Sequence, residues 1–170
     1  MRSNKSLILI GMMGSGKSTI GSLISKKLNL EFFDVDRNIE KNEGMKIVHI
    51  FKNKGEKHFR EVEKNLTIKI LNKKNCVISL GGGAFLNDEI RKKILNEHIS
   101  IWLNWLPSTI INRIKKNSKR PIIKKLNENE IEKLIKYRSL KYSLANFKLE
   151  CENLTKYEIV NRIIKIYENK

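Results

Sequence analysis

The nine residues Gly11–Thr19, GMMGSGKST, constrain the fold more than any other stretch of this chain. Gly11, Gly16, Lys17 and Ser18 complete the pattern G-x-x-x-x-G-K-[ST] without a mismatch, the pattern of a phosphate-binding loop. The apolar run Leu7-Ile8-Leu9-Ile10 before it reads as a buried strand. After it, Ile20, Leu23, Ile24 and Leu28 have helical spacing, which predicts a helix over Lys17–Leu28. Strand, glycine turn and helix in that order aim successive backbone N–H groups and the positive end of a helix dipole at an anion. On this reading Gly14, Ser15, Gly16, Lys17, Ser18 and Thr19 hold the phosphates of a nucleoside triphosphate. Lys17 reaches the β- and γ-phosphates, and the Ser18 hydroxyl holds Mg2+.

The rest of the chain alternates strand and helix patterns. Further strands are predicted over Glu31–Phe33, Cys76–Leu80, Ile99–Leu103 and Phe147–Cys151. Helices are predicted over Asp36–Asn42, Ile47–Lys54, Glu56–Lys73 and Asp88–Leu95, then from Pro107, over Glu128–Leu144 and over Lys156–Tyr167. Such alternation predicts a three-layer α/β domain with a parallel sheet, its ligands lying beyond the C-terminal ends of the strands. No repeat or linker interrupts it. Residues 1–170 are expected to be a single domain, long enough to bury about 70% of its unfolded surface. Ser118 to Asn127 lacks periodicity and contains Pro121, so a lid is expected over about 114–127.

The formal charge of +17 raises nucleic acid as a partner. However, the 27 Lys, 8 Arg, 19 Asn and 25 Ile are spread along the whole length, with no basic tail and no aromatic-rich basic stripe. Solvated lysines on helix faces are the expectation, with no nucleic-acid partner. No run of 18 apolar residues spans a membrane, and a strand starting at Leu7 leaves no room for a secretory leader. Cys76 and Cys151, 75 positions apart, suit buried thiols in a reducing cytoplasm. Because lysine supplies most of the charge, Arg60, Arg113, Arg120 and Arg138 are candidates for sites that need a flat bidentate fork.

Other residues suggest chemistry. Asp34 and Asp36 stand at i and i+2 where the second strand leaves the sheet, and in extended geometry both project toward the phosphate loop. One would order the Mg2+ shell and the other a substrate hydroxyl, or Asp36 caps the next helix. Arg60 and Glu63 pair on one helix face. Gly81-Gly82-Gly83 permits close approach to the backbone, by a ligand or by tight packing. The third strand lacks a terminal Asp, which shifts metal duty to Ser18 and Asp34. Arg120, in the aperiodic stretch, suits a lid closing on the γ-phosphate. His49, His58 and His98 have no ligand spacing.

Taken together, GMMGSGKST, FFDVD, F-R-E-V-E, LGGG, R-P and Y-R-S-L-K-Y resemble, in residues and order, the shikimate kinases over about residues 6 to 145. The resemblance implies the nucleoside-monophosphate-kinase fold, with a five-stranded parallel sheet in the order 2-3-1-4-5 and a substrate-binding segment over about 34–62. It implies transfer of the ATP γ-phosphate to the 3-hydroxyl of shikimate, in the route to chorismate and aromatic amino acids, by a cytoplasmic monomer. Asp36, Arg60, Gly82 and Arg138 would bind shikimate, with Asp36 the candidate base and the two arginines clamping the carboxylate. Lys17, Asp36 and Arg120 would be catalytic, Arg113 and Arg120 nucleotide-binding, and Ser18 and Asp34 metal-binding. Two departures stand out: Arg138-Ser139-Leu140-Lys141-Tyr142 lacks the family's proline, and Glu152–Lys156 lacks the Arg and Pro that embrace adenine. Rival readings are a kinase of gluconate or of a nucleotide, a regulatory GTP switch, for which no N-K-x-D motif is present, and a nucleic-acid binder.

Overall fold

The computed structural model describes residues 5–116 and 126–170. Arg120 and most of the expected lid lie outside the described residues. Strand β1 (Leu7–Ile10) lies at the centre of a five-stranded parallel sheet in the order β2-β3-β1-β4-β5. The other strands are β2 (Glu31–Asp34), β3 (Cys76–Ser79), β4 (Ile99–Asn104) and β5 (Phe147–Glu150). Leu7 pairs with Val77 on one side and with Ile99 on the other, so β1 is paired along both edges. It is also covered on both faces, and its four side chains are at most 1% exposed. That accounts for a continuous apolar run rather than an alternating one.

The pleat divides the core. Leu7 and Leu9 join Ile20, Ile24 and Leu28 of α1 (Lys17–Leu28) and Ile159, Val160 and Ile163 of α7 (Lys156–Glu168). Ile8 and Ile10 join the opposite cluster. That cluster takes Ile39 of α2 (Val35–Glu43), Phe59 and Ile70 of α3 (Ile47–Leu71), Ile90 of α4 (Asp88–Glu97), Ile110 of α5 (Pro107–Lys116) and Ile135 of α6 (Glu128–Tyr142). The two helical stretches expected on either side of Gly55 form α3, broken at that residue by φ 82° and ψ 170°. Capping boxes at Asn127/Glu130 and Thr155/Glu158 start α6 and α7 one residue after each polar cap. Among the described residues no helix is long and apolar enough to cross a membrane.

Crossovers from β1 lead by way of α1 to one half of the sheet, while β4 lies on the other side of β1. The crevice between the halves therefore opens beyond the C-terminal end of β1, where the phosphate loop begins. The helix after that loop lies close against the sheet. A Cβ added at Gly21 would come within 2.5 Å of the Phe32 ring and 3.3 Å of Leu9 Cδ1. Gly21→Val therefore overpacks the α1–β2 seam, and its urea midpoint should fall by an amount equivalent to about 1–3 kcal/mol. An unchanged midpoint would show that the seam has slack.

Candidate active site

The phosphate loop turns on glycines: Gly14 and Gly16 have φ 79° and 90°, values that other residues adopt at a cost. The Ser15 N–H donates to the Met12 carbonyl at 3.1 Å, closing the turn, and Gly16 caps α1 without a side-chain bond. The first N–H groups of α1 have no helical carbonyl one turn back and stand at the loop. Lys17 Nζ donates to the carbonyls of Gly11 at 2.8 Å and Met12 at 2.9 Å, folding the ammonium across the turn. Two side chains hold the loop from outside. Trp105 Nε1 donates to the Ser15 carbonyl at 3.0 Å, and an Arg113 nitrogen to the Gly14 carbonyl at 3.3 Å. The Arg113 guanidinium also lies 3.7 Å over the Trp105 ring. The structure thus brings Arg113 to the loop as expected. It adds Trp105, for which the only sequence signal is its place just past the C-terminal end of β4.

The two aspartates differ from the extended pair predicted for them. Asp34 ends β2 and is itself the cap of α2, accepting from the Arg37 N–H at 3.1 Å, whereas Asp36 already stands in the first turn of that helix. The capping role considered for Asp36 therefore belongs to Asp34. Helical geometry turns the Asp36 carboxylate toward the third strand's glycine turn, where its Oδ1 lies 2.8 Å from the position of a Cβ on Gly81.

That turn is the meeting point of the site. A Cβ on Gly81 would also come within 2.6 Å of Glu63 Oε1. On Gly82 it would meet an Arg138 guanidinium nitrogen at 3.2 Å, and on Gly83 an Arg60 nitrogen at 2.4 Å. Each glycine therefore makes room for a charged side chain of the protein. The close approach expected from the sequence is real, and it is made first by Asp36, Glu63, Arg138 and Arg60. Gly82 also lies against the phosphate loop, its Cβ position 3.5 Å from the Met13 nitrogen and 3.8 Å from the Gly11 carbonyl. The glycine turn and the phosphate loop are thus in contact.

The charges at this point are buried and interdependent. Among the described residues four charged side chains are buried, Lys17, Asp34, Glu63 and Arg138, and all four lie about the C-terminal end of the sheet. Glu63, 3% exposed, receives an Arg60 N–H at 2.7 Å, while Glu56 braces the outer side of the same guanidinium. Burial pushes the Glu63 carboxyl above its ordinary range; Arg60 opposes the shift, the nearby Asp36 charge adds to it, and Arg138 opposes it. Arg138 is 8% exposed, and its buried Nε has no partner within the protein. Such a fork, desolvated and incompletely bonded, suits an external carboxylate. Tyr142 donates its hydroxyl to the Gly82 carbonyl and lies 3.8 Å from Met12 Sδ, which also receives an Arg138 N–H at 4.0 Å.

Comparison with known proteins places this geometry in a family. The family model for shikimate kinase matches residues 13–168. The shikimate kinase of Persephonella marina is 41% identical over 160 residues, covering 94% of this chain and 97% of that protein. The shikimate kinase of Thermodesulfovibrio yellowstonii is 39% identical, with 96% and 95% covered. A solved structure, shikimate kinase from Acinetobacter baumannii in complex with shikimate, superposes with a TM-score of 0.92 at 27% identity, covering 99% of this chain and 96% of that one.

The Tyr142 phenol offers a test of this packing. Burial raises its pKa to about 12 from an ordinary 10.0, so the folded protein holds the proton more tightly than the unfolded chain. Folding stability that depends on the neutral phenol is complete below about pH 10 and is lost as the pH rises toward 12. The stability advantage of the parent over Tyr142→Phe should be about 1–3 kcal/mol near neutrality, because the variant leaves the Gly82 carbonyl unpaired. It should narrow steadily above about pH 10 in denaturant titrations. A constant difference up to about pH 11 would contradict the buried placement of the hydroxyl.

Proposed function

The chain belongs to the shikimate kinase family and is an ATP-dependent kinase of shikimate, and we propose that the transfer takes place between the phosphate loop and the Gly81–Gly83 turn. The observation that carries this reading is the convergence of Asp36, Arg60 and Arg138 on three successive glycines, of which Gly82 touches the phosphate loop. Two guanidinium forks beside a carboxylate match an acceptor that is itself a hydroxylated acid.

In this reading Arg60 and Arg138 take the shikimate carboxylate, with Gly82 allowing the ring to lie close to the backbone. Glu63 keeps the Arg60 fork in plane. Gly14, Ser15, Gly16 and Thr19 present the loop and first-turn N–H groups to the triphosphate of ATP. Lys17, which spans the loop through two carbonyls, shifts to the β- and γ-phosphates. Ser18 and Asp34 would hold Mg2+. Both are oxygen donors, as a hard cation needs, and the described residues contain no cluster of three or more His, Cys, Asp or Glu that would favour a protein-enclosed metal. When bound with ATP, Mg2+ supplies charge neutralisation on the phosphates.

The acceptor is the 3-hydroxyl. Its oxygen forms a bond to the γ-phosphorus as the bond from phosphorus to the β,γ-bridging oxygen breaks, ADP departs, and Asp36 receives the hydroxyl proton. The protein contributes alignment and preorganised charge. Arg113 flanks the nucleotide; Arg120, to which the resemblance assigns a role at the γ-phosphate, lies outside the described residues. The buried free thiols of Cys76 and Cys151 support a reducing cytoplasm.

Two measurements test the proposal. Purified protein with ATP and Mg2+ should release ADP on addition of shikimate, and much less with gluconate or AMP; equal release with gluconate would reassign the acceptor. Asp36→Asn should lower turnover by about 10²–10⁴-fold with ADP binding nearly unchanged. Turnover near the parent's would remove Asp36 from the proton transfer.

A further inference from the structure

We propose that Trp105 is a positioning residue for the nucleotide, aiming a backbone donor of the phosphate loop and holding Arg113 flat beside it. The argument starts from the peptide plane. A trans peptide bond points its C=O and N–H in opposite directions and resists twisting. The Ser15 carbonyl shares its plane with the Gly16 N–H. With Trp105 Nε1 holding that carbonyl at 3.0 Å from outside the loop, the Gly16 N–H is turned to the inside, where the phosphates are to sit. Gly16 has φ 90° and carries no side chain that could impose this orientation itself. The indole is the group that does so.

The same ring has a second task. The Arg113 guanidinium lies 3.7 Å over its centroid while donating to the Gly14 carbonyl at 3.3 Å. A guanidinium is planar and has two faces; the indole covers one, and the other is a surface on which a nucleobase can stack. In the neighbouring loop several polar groups are already engaged. Glu152 is occupied by the Leu106 N–H and the Thr109 hydroxyl, and Thr155 and Glu158 are committed to capping α7. Trp105 is itself immobilised, packing against both hydrophobic clusters at the end of the sheet. Stacking on Arg113 is thus the contact through which Trp105 reaches the base.

This inference rests on the phosphate-loop assignment within the proposed function and is independent of the acceptor. Its test measures direct binding, which needs no turnover. The probes are ADP, inorganic triphosphate, which has no base, and shikimate, titrated calorimetrically into the parent, Trp105→Leu and Trp105→Phe. Trp105→Leu should weaken ADP by about tenfold or more, the range of a desolvated cation–π contact plus a hydrogen bond, and triphosphate by less. Trp105→Phe, which keeps a ring without the N–H, should recover part of the ADP affinity and none of the triphosphate affinity. Shikimate binding should stay within about twofold, and in turnover assays KM for ATP should rise with kcat little changed. ADP affinity within about twofold of the parent in Trp105→Leu overturns the proposal. So does an equal loss for ADP and shikimate in both variants, which would mark Trp105 as a general packing residue. Absence of shikimate phosphorylation by the parent, with these nucleotide effects intact, would count against the acceptor assignment alone.

Discussion

The ion pair between the buried Glu63 carboxylate and the partly exposed Arg60 guanidinium is the interaction on which the acceptor side of this molecule depends. A carboxylate 3% exposed cannot remain charged without partners, because its hydration is lost and the interior repays little of it. The fold supplies two cationic neighbours, Arg60 directly and Arg138 across the glycine turn, and one anionic neighbour, Asp36, which works against them. The result is a compact alternation of charge that is close to neutral internally. It retains cationic forks with unsatisfied capacity, most clearly the Arg138 Nε. In the proposed site, the acid of the acceptor would complete the electrostatic set. Each of the three glycines contributes to this by the missing Cβ, and a methyl group at Gly83 would lie 2.4 Å from the guanidinium that holds Glu63.

The phosphate side is organised by backbone rather than by charge pairs, and the two sides share atoms. Met12 lies within the phosphate loop, yet its sulfur takes contacts from Arg138 and Tyr142, both on α6. Tyr142 in turn holds the Gly82 carbonyl. Phosphate loop, glycine turn and the helix carrying Arg138 are therefore packed as one unit. The large positive charge of the chain plays little part in this geometry, since Lys17 is the one buried lysine among the described residues. The other lysines give the surface its field and can draw anionic substrates toward the crevice.

Much of this was legible in the sequence because it is encoded locally. The phosphate loop has a fixed spacing, the central strands are unbroken apolar runs, and α6 and α7 begin at polar caps. Gly55 marked the break in α3, and the strand order agrees with the family expectation. What sequence reading missed depends on long-range packing. The extended projection expected of Asp34 and Asp36 does not hold, because α2 begins at Val35, one residue before the helix expected from Asp36, with the Asp34 side chain as its cap. Trp105 and Arg113 meet Ser15 and Gly14 across some ninety or more positions, a contact no local pattern announces. The missing proline near Arg138 proves remote from the clamp: Leu140 stands in its place at 69% exposure, while Tyr142, two residues on, keeps its hold on Gly82. The loop at Glu152–Lys156, which lacks the Arg and Pro that the resemblance implies, makes internal bonds, with Glu152 tied to the start of α5.

The central claim is spatial, that the acid group of the acceptor completes a charge cluster built over three glycines in contact with the phosphate loop. A crystal structure of the protein with shikimate and ADP tests it most directly. The account predicts the shikimate carboxylate within hydrogen-bond distance of both Arg60 and Arg138, one ring hydroxyl on Asp36, and the ring against Gly82. A carboxylate bound elsewhere, with the Arg138 Nε still unpartnered, would contradict it.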